Sequence, residues 1–335
     1  MSCSDKTPDL TVVFATHNGA ATLRRTLDSF AGLTAPAGGW KLVVADNASS
    51  DETPQILEDY KARLPLSVLP VPARGKNRAL NAAVALFEGP LIVFTDDDVV
   101  AEPDWLLRLA EAAAAHPDYD IFGGRIAPIW PVEPPAWLAQ AVPLPILYAV
   151  IGETEAREGP INPGMIWGPN MAVRKAVFDA GHRFDDGVGP QAGQYRMGSE
   201  TEFTTRLGKL GHRSWHCAAA RVGHQIRPHQ MDPGWIVRRA FRYGRDMFWK
   251  QNDPALMPDG VQAESAQAGQ RLFGVPRWMV RDLVEKALQS LLARLRRDPA
   301  AALAASWERH YLEGYIREAL STEGRALLRR RRTEV

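Results

Sequence analysis

The stretch Leu91-Ile92-Val93-Phe94-Thr95-Asp96-Asp97-Asp98-Val99 joins a short apolar run to three consecutive carboxylates. Such an apolar run is typical of a buried strand. Because alternate side chains of an extended chain share a face, we expect Asp96 and Asp98 to point one way and Asp97 the other. Two convergent carboxylates suit a hard cation, Mg²⁺ or Mn²⁺, at the carboxyl end of a strand. The alternative is an acidic turn, since Asp is common in turns.

The composition is that of an ordinary globular protein. The chain has 335 residues, of which 45% are hydrophobic and 24% charged, and its formal net charge is +1. The length allows one large domain or two smaller ones, and the charge favours no nucleic-acid partner. Cys3 and Cys217 lie far apart, which fits a reducing compartment. With no signal peptide and no apolar stretch long enough to span a bilayer, we expect a cytoplasmic protein.

Strand and helix signals alternate along the first 125 residues. Apolar runs predict strands at residues 10–15, 41–45, 67–71 and 91–94, and helical spacing follows each run. Repeated βα units imply an α/β fold with a doubly wound, mainly parallel sheet flanked by helices. Residues 127–165 are proline-rich and predict an irregular segment. The glycine-rich residues 186–199 predict either a lid over a ligand or a plain connection.

Helical patterns dominate from about residue 255. Pro276 is expected to start a helix whose apolar stripe is a packing face; the stripe comprises Val280, Val284, Ala287, Leu291 and Leu295. Nearby arginines at 294, 296 and 297 leave peripheral membrane contact open. We therefore expect a domain over residues 1–250, with halves at about 8–125 and 126–250, and a helical extension over 251–335.

Two glutamates near residue 200 have different interpretations. Ser199 and Glu202 match a capping box, S-x-x-E, at a helix start. Glu200 instead shares the inward face of Phe203 and Leu207 at helical spacing. There it can accept a proton from a bound hydroxyl, or pair with Arg206 as a structural ion pair.

Two further features have both a functional and a structural interpretation. His224 follows a predicted strand over residues 218–222, where it is either a metal ligand beside Asp98 or a structural histidine. Trp167 precedes Gly168-Pro169-Asn170, which either lines a pocket or forms an ordinary turn.

Taken in order, these segments resemble family 2 glycosyltransferases with the GT-A fold, over about residues 8–250. The matching segments are Ala15–Gly19 (the donor loop), Val44–Thr53 (V-D-N-x-S-x-D-x-T), Gly75–Asn81 (the loop before the acidic motif), Asp96–Asp98 (D-x-D), Gly168–Arg174 (G-x-N-M-A-x-R) and Gly198–Phe203 (G-x-(E/D)-x-(E/D)-hydrophobic). Their order and spacing together carry the resemblance.

The resemblance implies a role for each matching residue. Glu200 would be the catalytic base, and Asp98 with His224 would hold Mn²⁺ or Mg²⁺. The implied donor-binding residues are Thr16, His17, Asn18, Asp46, Lys76, Arg78, Asp96 and Asp97. The implied acceptor-binding residues are Trp167, Gly168, Asn170 and Glu202.

The sequence departs from the family pattern at three positions. His17 stands where an aromatic residue often stacks on the base. Leu80 replaces an arginine found in many members, which leaves Lys76 or Arg78 as the cation near the diphosphate. Glu200 replaces the more usual aspartate and reaches one methylene further.

The implied reaction is the inverting transfer of a sugar from a nucleotide-sugar donor to a hydroxyl acceptor. UDP is the commonest nucleotide in such families, and the acceptor would be a glycan, a lipid-linked glycan or a small molecule, as in polysaccharide, glycolipid or cell-surface glycan synthesis. One rival is a sugar-phosphate nucleotidyltransferase, although Thr16 to Ala20 lacks the glycine-rich loop expected there. Another rival is a non-catalytic nucleotide-sugar or glycan-binding protein, against which intact Asp98 and Glu200 argue.

Overall fold

The computed structural model describes residues 9–190, 195–257, 271–272 and 275–333. Contacts divide the chain into a first unit, residues 1–129 with 149–225, and a second unit, residues 130–148 with 226–335. This division follows contacts and does not test the functional domain limits expected near residues 125 and 250, which remain predictions. Cys3, Gly193 and the side chains of Arg331 and Arg332 lie outside the described part of the chain.

The first unit is built on one mixed sheet. Its strands are β1 (Leu10–Thr16), β2 (Trp40–Asp46), β3 (Leu66–Pro70), β4 (Leu91–Phe94), β5 (Val99–Ala101), β6 (Ile121–Ile129), β7 (Gly159–Ile161), β8 (Met171–Arg174) and β11 (Ser214–Gln225), and a separate pair is formed by β9 (Gly189–Pro190) and β10 (Tyr195–Arg196). The sheet order is β3-β2-β1-β4-β8-β6-β11-β5, and β7 also pairs with β11. Neighbours among β3, β2, β1 and β4 are parallel, whereas β8 runs antiparallel to both β4 and β6. The predicted parallel sheet is therefore present, with antiparallel strands added beyond β4.

Helices cover the sheet and form the second unit. They are α1 (Ala20–Ala31), α2 (Thr53–Tyr60), α3 (Lys76–Ala83), α4 (Trp105–Ala115), α5 (Leu138–Ala141), α6 (Leu144–Tyr148), α7 (Lys175–Asp179), α8 (Ser199–Lys209), α9 (Pro233–Asn252), α10 (Arg277–Leu295), α11 (Pro299–Ala319) and α12 (Thr322–Thr333). The apolar stripe of α1, Leu23 with Leu27 and Phe30, lies in the core under the sheet, as its spacing predicts. Pro54 occupies the first turn of α2, where a missing N–H costs no helical hydrogen bond.

Strand β8 is not among the strands that the apolar runs predict. Met171–Arg174 form this strand between β4 and β6, and the helix α7 begins directly after it. The first three residues of β8 are fully buried. A strand so short and buried has no polar alternation to reveal it, which is why the pattern was ambiguous.

The second unit is a helical bundle in which α9 and α11 approach closely. A Cβ added at Gly244 would lie 1.9 Å from the backbone oxygen of Tyr311, so only glycine allows this crossing. The core beside it contains Phe248, Leu312 and Tyr315. Part of the segment expected to be irregular also lies in this unit, where Tyr148 stacks on Trp235.

The packing face predicted for α10 is wrong. Val284, Leu291 and Leu295 of the expected stripe are exposed. The buried side chains are Met279, Ser290 and Ala293, and the Ser290 hydroxyl lies 2.8 Å from that of Ser306 on α11. Because α10 carries apolar residues on most sides, periodicity alone cannot select the face that packs.

No described helix is both long and apolar enough to cross a membrane.

Candidate active site

The carboxyl ends of β1 and β2 lie side by side and carry two tight loops. Thr16 pairs in register with Asp46 at the end of these strands. Asn18 and Ala48, in the following loops, have positive φ values of 55° and 59°. The Asn18 side-chain oxygen accepts a hydrogen bond from the Ser50 N–H at 2.8 Å, which joins the two loops. The half-buried Asp46 therefore lies at the base of two loops that brace one another.

Asn47 is a structurally important residue that the sequence analysis did not single out. Its buried amide donates to the carbonyls of Val71 and Ala73 and accepts from the N–H of Gly75. Its own carbonyl lies 2.8 Å from a ring nitrogen of the exposed His17. Asn47 thus fixes the backbone that leads into α3, and its only sequence signal was its place in the V-x-D-N segment.

The acidic segment after β4 is not the extended chain on which the predicted alternation rests, because Asp97 and Asp98 lie in a turn. Thr16 Oγ1 donates to Asp97 Oδ2 at 2.5 Å, on the side of β1. Asp96 contacts Lys76, and Asp98 lies close enough to Asp96 for its charge to act on that carboxyl. Asp97 therefore braces the segment through another predicted donor residue, and Asp96 and Asp98 form the acidic surface.

Lys76 connects this surface to Glu200. Its ammonium lies 2.6 Å from Asp96 Oδ1 and 2.6 Å from Glu200 Oε1. These three side chains are only 15% to 22% exposed. Burial by itself would lower the pKa of Lys76, but the charges of Asp96 and Glu200 outweigh burial and raise it. The lysine is therefore held in its charged form, bridging the first turn of α3, the acidic segment and the first turn of α8.

The site carries more negative than positive charge around this lysine. Burial raises the pKa of Asp96, and the nearby charges of Glu200 and Asp98 raise it further against the opposing effect of Lys76. The ammonium contacts two carboxylates, and the third, Asp98, lies near Asp96. A divalent cation at this position would relieve that imbalance.

Asp98 and His224 offer two suitable ligand atoms. His224 lies on β11 opposite Val99, and its Nε2 is 3.3 Å from Asp98 Oδ1. Two neighbouring ligands of an octahedral Mg²⁺, each about 2.1 Å from the ion, lie about 3 Å apart. The donor pair therefore fits a divalent cation whose other ligands come from elsewhere. Within the described residues, no group of three or more His, Cys, Asp and Glu side chains forms a complete metal site.

The two glutamates of α8 have separate partners. Helix α8 begins at Ser199 after Gly198, with no side-chain cap, so the predicted capping box is wrong. Glu202 instead lies 2.7 Å from the Arg206 guanidinium on its own helix. Arg206 therefore does not pair with Glu200, which was the structural alternative. The pairing of Glu200 with Lys76 leaves it on the acidic surface.

The absence of a side chain at Gly168 leaves space for the Glu200 carboxylate. A Cβ added at Gly168 would lie 2.6 Å from Glu200 Cδ, so any larger residue would displace the carboxylate. Trp167 beside it is half-buried against the core of the first unit. This loop and α8 therefore meet directly at the predicted base.

Asn170 occupies the interior and not a pocket wall. Its side-chain oxygen accepts from Trp105 Nε1 at 2.9 Å, and its amide donates to the carbonyls of Arg125 and Ala220 at 3.0 Å each. It is 1% exposed. The geometry gives Asn170 a structural role in place of the predicted acceptor contact.

Arg78 lies apart from the Lys76 ion pairs. Its side chain is half-exposed and 3.8 Å from Asp186. On the same helix, the Asn81 amide donates to the carbonyl of Phe184 and to Asp186. Lys76 rather than Arg78 is therefore the cation at the acidic surface, and α3 anchors the start of the glycine-rich loop.

The glycosyl transferase family 2 model matches residues 11–181. The glucosyl-dolichyl phosphate glucuronosyltransferase of Haloferax volcanii is 25% identical over 174 residues, which cover 51% of this chain and 54% of that protein. The succinoglycan biosynthesis protein ExoM of Rhizobium meliloti is 25% identical over 236 residues, covering 68% of this chain and 72% of that protein. The chain thus spans little more than half the length of the Haloferax relative.

Solved structures share the fold. The mannosyltransferase PcManGT of Pyrobaculum calidifontis, in complex with GDP-Man and Mn²⁺, superposes with a TM-score of 0.58 at 19% identity, covering 92% of this chain and 87% of that one. TarS 1–349 of S. aureus with UDP-GlcNAc gives a TM-score of 0.53 at 17% identity, covering 92% and 91%. The predicted fold and family are confirmed: this chain belongs to glycosyl transferase family 2 and has the GT-A fold.

Proposed function

We propose that this protein is a metal-dependent, inverting glycosyltransferase that moves a sugar from a nucleotide-sugar donor to a hydroxyl acceptor. The observation that carries the proposal is the Lys76 ammonium held between Glu200 and Asp96, beside the Asp98–His224 pair. It brings a base candidate, an acidic motif and two metal-ligand atoms to one surface of the first unit. UDP is the favoured nucleotide.

Related proteins support the chemistry by analogy. PcManGT binds GDP-Man with Mn²⁺, and TarS binds UDP-GlcNAc. The names of other relatives describe transfer to a dolichyl phosphate-linked sugar, to poly(ribitol-phosphate) and to validoxylamine A. The acceptor class proposed here is correspondingly a glycan, a lipid-linked glycan or a small molecule with a free hydroxyl.

Asp98 and His224 would hold Mn²⁺ or Mg²⁺ against the donor diphosphate. A bound cation would neutralise charge that develops on the leaving nucleoside diphosphate. Asp46 would contact the nucleotide base and Asp96 the ribose side of the donor. Thr16 and Asn18 would hold the loops that line this half of the cleft, with the exposed His17 available to stack on the base.

Glu200 would act as the general base. Its carboxylate takes the acceptor hydroxyl proton as the acceptor oxygen bonds to the anomeric carbon. The bond from that carbon to the diphosphate oxygen breaks with its electron pair on the diphosphate. A single displacement inverts the anomeric centre and needs no covalent enzyme intermediate.

Lys76 would hold the Glu200 carboxylate in position for this step. An ammonium 2.6 Å away fixes the orientation of the carboxylate from α3. The same ammonium contacts Asp96, so a donor bound at the acidic surface would meet the lysine that holds the base. Base position and donor binding would thus be linked through one side chain.

The proposal is tested by the thermal stability of the full chain with UDP, GDP, dTDP or CDP, each with and without Mn²⁺. A ligand that binds only the folded state raises its stability by mass action. We expect a metal-dependent rise for one nucleotide. The Asp98→Ala variant should lose it, whereas Glu111→Ala, which removes a surface carboxylate paired with Arg108, should keep it.

Three results would contradict the proposal. The first is the absence of any nucleotide effect together with no sugar transfer to any hydroxyl acceptor. The second is release of pyrophosphate from a nucleoside triphosphate and a sugar phosphate, which would identify a nucleotidyltransferase. The third is tight donor binding without turnover, which would support the non-catalytic alternative.

A further inference from the structure

The outer face of α10 is apolar. Its exposed large side chains are Val284 57%, Leu288 56%, Leu291 56%, Leu292 50% and Leu295 73%. Four of them follow the spacing i, i+4, i+7 and i+11, so they form one continuous stripe over about three turns. Such a stripe on a helix that already packs its opposite side marks an interaction surface.

Positive charge surrounds this stripe. Between Arg277 and Arg297 the chain has six basic and only two acidic side chains. Arg277 and Arg281 are exposed at the first turns, and Arg294, Arg296 and Arg297 are exposed at the end of the helix and just beyond it. Trp278, 44% exposed, adds an aromatic ring to the first turn. The pattern combines an apolar stripe with basic flanks.

We propose that α10 docks this protein on the surface of an anionic lipid bilayer, with the leucines in the headgroup region and the arginines on lipid phosphates. A helix with an apolar face and basic flanks lies in the bilayer interface, held by buried apolar area and by attraction to anionic lipids. Tryptophan is enriched at the same depth. This proposal concerns the second unit and is independent of the proposed reaction.

Charge and size favour a bilayer over a second copy of the chain. Two copies meeting through this stripe would bring their basic flanks together and repel. A stable protein interface also needs about 20–30 residues on each side, whereas the stripe offers five side chains. A bilayer interface requires only the one helix face.

The test is flotation of the full chain with phosphatidylglycerol-containing vesicles and with pure phosphatidylcholine vesicles. We expect binding to the anionic vesicles, weakened by high salt. The triple variant Leu288→Ser, Leu291→Ser, Leu295→Ser should bind at least tenfold more weakly. Arg294→Gln with Arg296→Gln should weaken binding about fivefold for each arginine.

The matched control is Leu210→Ser. Leu210 is 60% exposed but lies at the end of α8 in the first unit and is not part of the α10 stripe, so its variant should float like the unchanged protein. Thermal unfolding and sedimentation of each variant show whether it is folded and monomeric. Equal binding by the triple variant overturns the proposal. A protein that does not float, and whose dimer dissociates in the triple variant, overturns it in favour of an interface between copies.

Discussion

At the carboxyl end of β4, charged side chains lie inside the protein, whereas along α10 leucines lie outside it. Lys76, Asp96 and Glu200 are each less than a quarter exposed. Leu291 and Leu295 of α10 are each more than half exposed. Both regions reverse the usual distribution of polar and apolar side chains, in opposite directions.

The two reversals point to different kinds of ligand. Buried charges have a desolvation cost, and they persist here because each contacts an opposite charge at short distance. Side chains paired in this way can exchange an ion-pair partner for a small charged ligand. Exposed leucines have no such partner, so they suit a broad apolar surface. Single substitutions in the two regions, each compared with a matched position, test this difference.

The largest effect is expected at Glu200. Replacing it with glutamine removes the proton acceptor but keeps its size, and kcat should fall by about 10² to 10⁴. Glu202→Gln, two residues along the same helix, removes a carboxylate paired with Arg206 and should retain kcat within a few-fold. Steady-state kinetics with a hydroxyl acceptor would distinguish the two, and equal loss in both variants would contradict the assignment of the base.

Lys76→Met should destabilise the metal-free protein by about 3 kcal/mol, because it leaves buried carboxylates without their shared cation. Mn²⁺ should then raise the free energy of unfolding more in the variant than in the unchanged protein. Urea denaturation with and without Mn²⁺ measures the loss of stability and the stabilisation by the metal. Lys41→Met is the control: its pair with Glu88 is more exposed and should contribute less than about 1 kcal/mol. No metal effect in the Lys76 variant would argue against a cation site here.

Gly168→Ala should lower kcat by about tenfold or more while leaving the fold intact. Its Cβ would push the Glu200 carboxylate out of position, and small displacements of a catalytic group have large effects on rate. Gly32→Ala is the matched change, since its nearest atom to a new Cβ is 3.5 Å away, an ordinary contact. Normal activity in Gly168→Ala would mean that Glu200 need not occupy this position.

Patterns within short segments predicted the parallel strands and the first-unit helices well. β1, β2 and β4 are apolar runs that end in polar loops, and the loops carry the family motifs. The turn at Asp97 and Asp98 was one of the two interpretations that the sequence left open for the acidic segment. These features depend on neighbours in the chain, so the sequence contains the information directly.

Features that depend on distant residues were not predictable in the same way. The Lys76–Glu200 pair joins residues 124 positions apart, and no local pattern links them. Asn170 looked like a pocket residue until its partners Trp105, Arg125 and Ala220 were known. On α10 the face that packs holds Ser290 against Ser306 of α11, a contact that no pattern within α10 predicts.

The smallest effect on stability is expected on α10, where exposed leucines contrast with the buried charges of the candidate active site. Leu291→Ala should change the free energy of unfolding by about 0.5 kcal/mol or less, because its side chain is already in water. Leu312→Ala, on α11, should cost about 2–5 kcal/mol, since Leu312 lies in the core of the same unit. Urea denaturation at two protein concentrations measures the free energy of unfolding of both variants. A large and concentration-dependent cost at Leu291 would show that the leucine is buried against another copy, and the exposed face would then belong to a protein interface and not to a bilayer.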